Sequence, residues 1–199
     1  MSKQMAFYFE QKHCTGCSTC QIACKDKHDL PHGQNFRQVH AYEGGSFKVC
    51  SNVVHHNVYA YWVSVSCNHC VNAVCVTVCP SGAMHKRTED GLVLIHEERC
   101  IGCRRCLKAC PYHAPQFDAA TFKMKKCDFC QELVREGKAP ACISACPMRV
   151  LGYGELSELR KKYGSTSWVK GLPTTTKLEP AWVLVPHRDA GNAQGRIKE

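Results

Sequence analysis

The chain has 199 residues, 44% of them hydrophobic, which suits one or two compact domains. Its 26 basic residues against 17 acidic ones leave a formal charge of +9, and it carries seventeen cysteines. The charge raises binding to nucleic acid or an anionic surface and the cysteines raise a disulfide scaffold, but repeated Cys-x-x-Cys spacing crowds thiols too closely for pairwise bridging.

In chain order, Met5 to Glu10 reads as a short strand. Val39 to Val49 reads as a hairpin turning at Gly44-Gly45, and Val58 to Val65 as an aromatic, β-branched strand. Residues 49–85 lack Asp, Glu, Lys and Arg, yet Ser, Asn and His interrupt them throughout, so no membrane span of about 20 apolar residues is expected. Ala83 to Arg87, the turn Glu89-Asp90-Gly91 and Leu92 to His96 form a second hairpin. Glu155 to Lys162 has an acidic start and a basic end that suit a short helix stopped by Gly164. Residues 164–199 hold too little apolar material for a further core and are expected to form an extended arm lying against another subunit.

Sixteen cysteines fall into four groups of four: Cys14/Cys17/Cys20/Cys24, Cys67/Cys70/Cys75/Cys79, Cys100/Cys103/Cys106/Cys110 and Cys127/Cys130/Cys142/Cys146. A 4Fe-4S cubane takes one thiolate per iron, so the expectation is four 4Fe-4S clusters. Zinc is the chemical rival, because paired Cys-x-x-Cys units also build tetrahedral sites. Cys-x-x-Cys-x-x-Cys-x-x-x-Cys, with Pro80, Pro111 and Pro147 after three of the fourth cysteines, favours iron–sulfur. In ferredoxin pairs three cysteines of a run bind one cluster and the fourth binds the other. That scheme groups Cys14, Cys17, Cys20 and Cys146; Cys127, Cys130, Cys142 and Cys24; Cys67, Cys70, Cys75 and Cys110; and Cys100, Cys103, Cys106 and Cys79.

Gly16 and Gly102 are expected to let the loop backbone approach a cluster. His69 and the pair His55-His56 are not assigned as ligands, since each group already has four thiols, and Cys50 stands outside the pattern. At about −2 per thiolate-bound cubane, four clusters bring the net charge to about +1, so the basic excess offsets the cofactors and no nucleic-acid partner is expected. Lys25, Arg104, Arg105, Lys108, Lys123, Lys125 and Lys126 lie beside ligand runs, where positive charge favours a reduced cluster. No nucleophile-and-base pair or phosphate loop stands out, so a non-catalytic electron carrier is expected. The fold expected is α+β: two pseudo-twofold-related bacterial ferredoxin-like modules, each 2 x 4Fe-4S, with hairpin insertions and the extended C-terminal arm. One module spans residues 1–50 and 111–163, the other residues 51–110, and the arm residues 164–199.

The runs Cys14-Thr15-Gly16-Cys17-Ser18-Thr19-Cys20-Gln21-Ile22-Ala23-Cys24, Cys67-Asn68-His69-Cys70, Cys79-Pro80-Ser81-Gly82-Ala83, Cys100-Ile101-Gly102-Cys103, Cys110-Pro111-Tyr112 and Lys126-Cys127-Asp128 resemble the iron–sulfur subunits of molybdopterin oxidoreductases, above all the electron-transfer subunits of the anaerobic dimethyl sulfoxide reductase type. The resemblance implies four cubanes, a molybdopterin catalytic subunit reducing sulfoxides or N-oxides in anaerobic respiration, and a quinol-oxidising integral membrane anchor subunit. Relatives serving tetrathionate, thiosulfate or selenate reduction, and a free polyferredoxin carrier, are the alternatives. Nitrate reductase relatives put tryptophan in place of one third-group cysteine, whereas all four are present here. The resemblance also implies that the second and third groups form the quinol-side end. Only thirteen residues precede Cys14, so the expected location is peripheral on the inner membrane, on the periplasmic face through a twin-arginine-exported partner, with the cytoplasmic face as alternative.

Overall fold

A computed structural model describes residues 3–174 and 178–191. The strands are β1 (Met5–Glu10), β2 (Arg37–Gly44), β3 (Phe47–Cys50), β4 (Val53–His56), β5 (Tyr59–Ser66), β6 (Met84–Lys86), β7 (Val93–Ile95), β8 (Gln116–Asp118), β9 (Lys123–Lys125), β10 (Leu151–Glu155) and β11 (Trp182–Val185). The helices are α1 (Thr19–Lys27), α2 (Val74–Thr77), α3 (Arg105–Ala109), α4 (Gln131–Arg135), α5 (Ala141–Ser144) and α6 (Leu156–Tyr163). The architecture is mixed, with short helices and small sheets. No helix among the described residues is long and apolar enough to cross a membrane.

β1 is the centre of a three-stranded sheet, antiparallel to β10 (Phe7↔Tyr153) and parallel to β11 (Phe7↔Trp182). Because side chains alternate along a strand, β1 serves two cores. Phe7 and Phe9 face the main core with Leu151, Trp182, Leu184 and the thiols of Cys20, Cys24, Cys127, Cys142 and Cys146. Ala6 and Tyr8 face the other way, against Leu156, Ala181 and Val183, with Leu159 and Tyr163 of α6 packed on them. Tyr8 and Tyr163 stack at 3.9 Å. A third, smaller core of Ala83, Met84, Val93, Cys100, Cys106 and Met124 sits between the hairpins β6–β7 and β8–β9.

Two expectations are corrected. The stretch 39–49 is not a hairpin closed at Gly44-Gly45: β2 pairs along its whole length with β5, from Arg37↔Ser66 to Gly44↔Tyr59. The chain leaves that ladder at Gly45, and the hairpin that turns is β3–β4, at Ser51-Asn52, both with positive φ. The long β2–β5 ladder buries Tyr42, Tyr61 and Val63, a gain that a local fold of 39–49 would forgo. Likewise, residues 181–184 of the expected arm pack on this chain and are not held out for another subunit. Ala181, Trp182, Val183 and Leu184 are buried against this chain's own β1, because a four-residue apolar run that is too short for a core can complete an existing one. Residues 175–177 and 192–199 of the expected arm lie outside the described residues.

Candidate functional site: four cysteine tetrads

The ligand-type side chains converge in four places. At site I, Cys14, Cys17 and Cys20 come from the loop after β1 and the start of α1, and Cys146 follows α5. Burial pushes the Cys14 thiol up, and Cys20, Cys146 and Cys17 add to the shift. At site II, Cys24 from α1 meets Cys127, Cys130 and Cys142; burial, then the Cys142 thiol, push Cys24 up to about 12. At site III, Cys67, Cys70, Cys75 and Cys110 line one cavity with Ala73, Val93 and Pro111. Burial, then Cys67, push Cys70 and Cys75 up to about 12. At site IV, Cys79, Cys100, Cys103 and Cys106 line another cavity with Met84 and Met124. In each grouping three cysteines come from one run and the fourth from another. The helices explain it: α1 packs on α5 and α2 on α3, and each carries its run's last cysteine from one tetrad to the next.

The four sites form a file. Cys20 of site I feels Cys142 of site II, Cys127 of site II feels Cys67 of site III, and Cys75 of site III feels Cys106 of site IV. The outermost tetrads each keep one exposed cysteine, Cys17 in site I and Cys103 in site IV, whereas all four cysteines of site II are buried.

Each Cys-x-x-Cys loop places its third residue in the left-handed region: Gly16 at φ +69, His69 at +43, Gly102 at +66 and Phe129 at +67. Two of the four use glycine, as expected, and close packing adds to the need. A Cβ on Gly102 would lie 2.4 Å from the carbonyl oxygen of Phe122, and one on Gly16 would lie 2.3 Å from the Trp62 ring. The other two use aromatic side chains that meet edge to face at 5.4 Å between sites II and III. His69 is thus a buried packing residue whose Nδ1 accepts the Val93 N–H at 3.1 Å. Holding bulky residues at positive φ costs of order 1–3 kcal/mol each, which the surrounding core must offset.

The raised pKa values of Cys14, Cys24, Cys70 and Cys75 mean that these four thiols do not ionise readily without a compensating cation. Four converging soft donors in an apolar shell suit an iron–sulfur cubane. Backbone N–H groups already point at sulfur: Met84 donates to Cys79 Sγ at 3.3 Å, Met124 to Cys100 Sγ at 3.4 Å and Phe129 to Cys127 Sγ at 3.5 Å. Such donors stabilise negative charge on the ligand. At Cys79 burial raises the pKa, but the Met84 N–H and the Ser81 donors prevail, so the net shift is downward.

The basic residues expected near the sites behave unequally. Lys126 is buried beside site III, its Nζ donating to the carbonyls of Val93 and Cys127, and Lys123 Nζ donates to Cys100 O at 2.5 Å. Lys25 instead ties down a loop through Pro31 O and Gln34 O, and Lys125 pairs with Asp118 at 2.8 Å. Arg104 lies over the Phe117 ring at 3.7 Å. Two participants escaped sequence reasoning altogether. Arg37, at the first position of β2, is only 2% exposed, and Ser64 of β5 has Oγ 3.4 Å from Cys20 Sγ. Neither sits in a cysteine run, and only the β2–β5 register brings them there. His28, Asp128 and Cys130 also cluster, with His28 Nε2 3.5 Å from Asp128 Oδ1, but Cys130 belongs to site II, so this is its border and not a separate centre. Cys50 is exposed at the end of β3.

A family model described as a 4Fe-4S dicluster domain matches residues 58–156, and a 4Fe-4S binding domain matches residues 11–27. The chain is 46% identical to the B subunit of anaerobic dimethyl sulfoxide reductase from Escherichia coli (strain K12), over 99% of this chain and 97% of that protein. It is 39% identical to the thiosulfate reductase electron transfer subunit PhsB of Salmonella typhi, over 79% of each. It is 30% identical to the B subunit of polysulfide reductase from Wolinella succinogenes, over 96% of this chain and 98% of that one. With sixteen cysteines gathered into tetrads and this likeness running nearly end to end, the protein belongs to the iron–sulfur electron-transfer subunits of reductases represented by the B subunit of anaerobic dimethyl sulfoxide reductase.

Proposed function

We propose that the chain relays electrons through four 4Fe-4S clusters, from a quinol-oxidising membrane anchor subunit to a molybdopterin catalytic subunit that reduces sulfoxides or N-oxides during anaerobic respiration. The observation that carries this reading is the file of four tetrads with exposed cysteines only at its ends, Cys17 and Cys103. The ligands are Cys14, Cys17, Cys20 and Cys146 at site I; Cys24, Cys127, Cys130 and Cys142 at site II; Cys67, Cys70, Cys75 and Cys110 at site III; and Cys79, Cys100, Cys103 and Cys106 at site IV. Sites I and II make one ferredoxin-like module (residues 1–50 and 111–163) and sites III and IV its pseudo-twofold counterpart (residues 51–110). The packing of α1 on α5 and of α2 on α3 supports that pairing.

When bound, the clusters supply one-electron redox capacity without bond making. The polypeptide does the rest. Its N–H donors hold negative charge on the ligand sulfurs, Phe129 and His69 fill the space between the inner sites, and the apolar core keeps water from the buried sulfurs of site II. One electron enters and one leaves, with no proton or group transferred.

The sulfoxide or N-oxide reading rests on the 46% identity to a dimethyl sulfoxide reductase subunit, against 39% and 30% for the thiosulfate and polysulfide relatives. Residues 182–185 lend the complex no support, because they pair with this chain's own β1. Assembly with catalytic and anchor subunits is inferred from the relatives' place in reductases, and we place the complex peripherally on the inner membrane at its periplasmic face, with the cytoplasmic face as the alternative. The test is anaerobic co-purification with the native partners. Dithionite-reduced clusters should be reoxidised by dimethyl sulfoxide in the complex and not in the isolated chain. Reoxidation by thiosulfate or polysulfide alone would move the assignment to those relatives. A chain that purifies alone and exchanges electrons with soluble carriers would make it a free polyferredoxin.

A further inference from the structure

Arg37 is a buried cation with no carboxylate within ion-pair distance among the described residues. Its Nη1 donates to Ser64 O at 3.2 Å and Ser64 Oγ at 3.1 Å, and its Nη2 donates to Ser66 Oγ at 3.0 Å. Its Nε is buried without a partner. The guanidinium carbon sits 4.8 Å from the centre of the Phe7 ring, which packs at 4.2 Å on Phe129, the residue before Cys130. An unpaired charge so deep in a core is prohibitive unless opposite charge lies close by. The groups able to supply it are sulfurs. Burial pushes the guanidinium's pKa down, but Cys142, Cys127, Cys20 and Cys24 reverse this and leave it raised. Those four cysteines fall in two tetrads, Cys20 in site I and the others in site II.

We propose that Arg37 is an electrostatic positioning residue shared by sites I and II: it acts as their common counter-ion and holds both at potentials where they can be reduced. The inference rests on the reading that both tetrads hold 4Fe-4S clusters. A cubane with four thiolates carries about −2 when oxidised and about −3 when reduced, so a fixed positive charge between two of them favours the reduced form of each. It also screens one reduced cluster from the next. Ser64 extends the effect to site I. Its Oγ accepts from the guanidinium, which leaves its own hydrogen for Cys20 Sγ at 3.4 Å, and a ligating thiolate can only accept. Arg37 reaches site III only through Ser66, the residue before Cys67, and the contacts of Arg37 do not extend to site IV, so site IV is the cleaner internal control.

The test is a redox titration of the intact complex followed by electron paramagnetic resonance, for wild type, Arg37→Gln, Arg37→Lys and Ser64→Ala. Arg37→Gln should lower two of the four midpoints by at least a tenfold fall in the reduced-to-oxidised ratio at fixed potential, about 59 mV for one electron. The other two should stay, and Arg37→Lys should recover most of the loss. Ser64→Ala, which keeps the charge, should lower one midpoint by a smaller amount. Unmoved midpoints, a uniform shift of all four, or no recovery with lysine would overturn the proposal. If Arg37→Gln fails to retain iron, Ser64→Ala decides: one lowered midpoint supports the proposal and none overturns it. Iron counting of the wild type keeps the two readings apart. Far fewer than about sixteen irons sinks the cluster assignment, whereas full iron with unmoved midpoints sinks only the role of Arg37.

Discussion

Sites I and II and sites III and IV share one ligand pattern, but the chain supports them in different ways. Sites I and II draw cysteines from residues 14–24 and 127–146, so the main core must hold remote segments together with Phe7, Phe9, Trp182 and Leu184. Sites III and IV take all their cysteines from residues 67–110, and site IV rests on a small core between two short hairpins. Their electrostatics differ too. The first pair has Arg37 beside it, whereas Lys126 acts on Cys127 of site II as well as on Cys75 and Cys110 of site III, and Lys123 and Arg104 lie near site IV. The difference teaches that one local motif can be stabilised by global topology in one place and by neighbouring hairpins in another, so damage to the common core should fall unequally.

The largest effect that would break or sharpen this contrast is removal of iron. Without a cation the apo chain must keep its crowded thiols protonated. The folded pKa values of Cys14, Cys20, Cys24, Cys70, Cys75, Cys106, Cys110, Cys127 and Cys130 are raised above the ordinary thiol value of 9.0, those of Cys24, Cys70 and Cys75 to about 12. The stabilising contribution of the neutral thiols is therefore fully present below about pH 9 and is lost as pH rises through the folded values. Circular dichroism of chelator-treated chain under reducing conditions should show structure falling between about pH 9 and 12, while the iron-loaded chain does not follow that curve.

Next in size is the β11 contribution. Trp182→Ala removes a 2% exposed side chain from the main core and should cost about 3–5 kcal/mol in denaturant unfolding. Iron should leave sites I and II before site IV, whose cysteines pack in the separate small core, and the site IV resonance signal should be the last to disappear. Equal loss from all four would contradict this unequal support.

Smaller still is the contrast between two loop glycines. Ala at either position pays about 1–2 kcal/mol for the left-handed backbone. Gly102→Ala also meets a backbone carbonyl that cannot swing aside, whereas Gly16→Ala meets the Trp62 side chain. Gly102→Ala should therefore release more iron from site IV than Gly16→Ala releases from site I. Smallest of all, Cys50→Ser should change neither iron content nor any signal, since Cys50 is exposed on β3 outside every tetrad.

Much of the molecule is legible in the sequence because cluster ligation is written in short spacings. β1, β5 and the β6–β7 hairpin follow from local residues, and the helix expected at 155–162 lies one residue on, at Leu156–Tyr163. What stays hidden depends on register between remote segments. Arg37 looks like a surface charge until β2 pairs with β5 and sets it against Ser64. Trp182 to Val185 looks too short to bury itself until β1 offers an open edge. His69 and Phe129 hold the positive φ that glycine holds elsewhere, and only their mutual packing explains why aromatic residues stand there.

The central claim is that sixteen thiolates hold four cubanes in file. The most direct measurement is iron, acid-labile sulfide and zinc content of an oxygen-free preparation, taken with its reductive titration. The account predicts about sixteen irons and sixteen sulfides per chain, with about four electrons taken up. Zinc in place of iron, or iron far below that number in a folded chain, would contradict it.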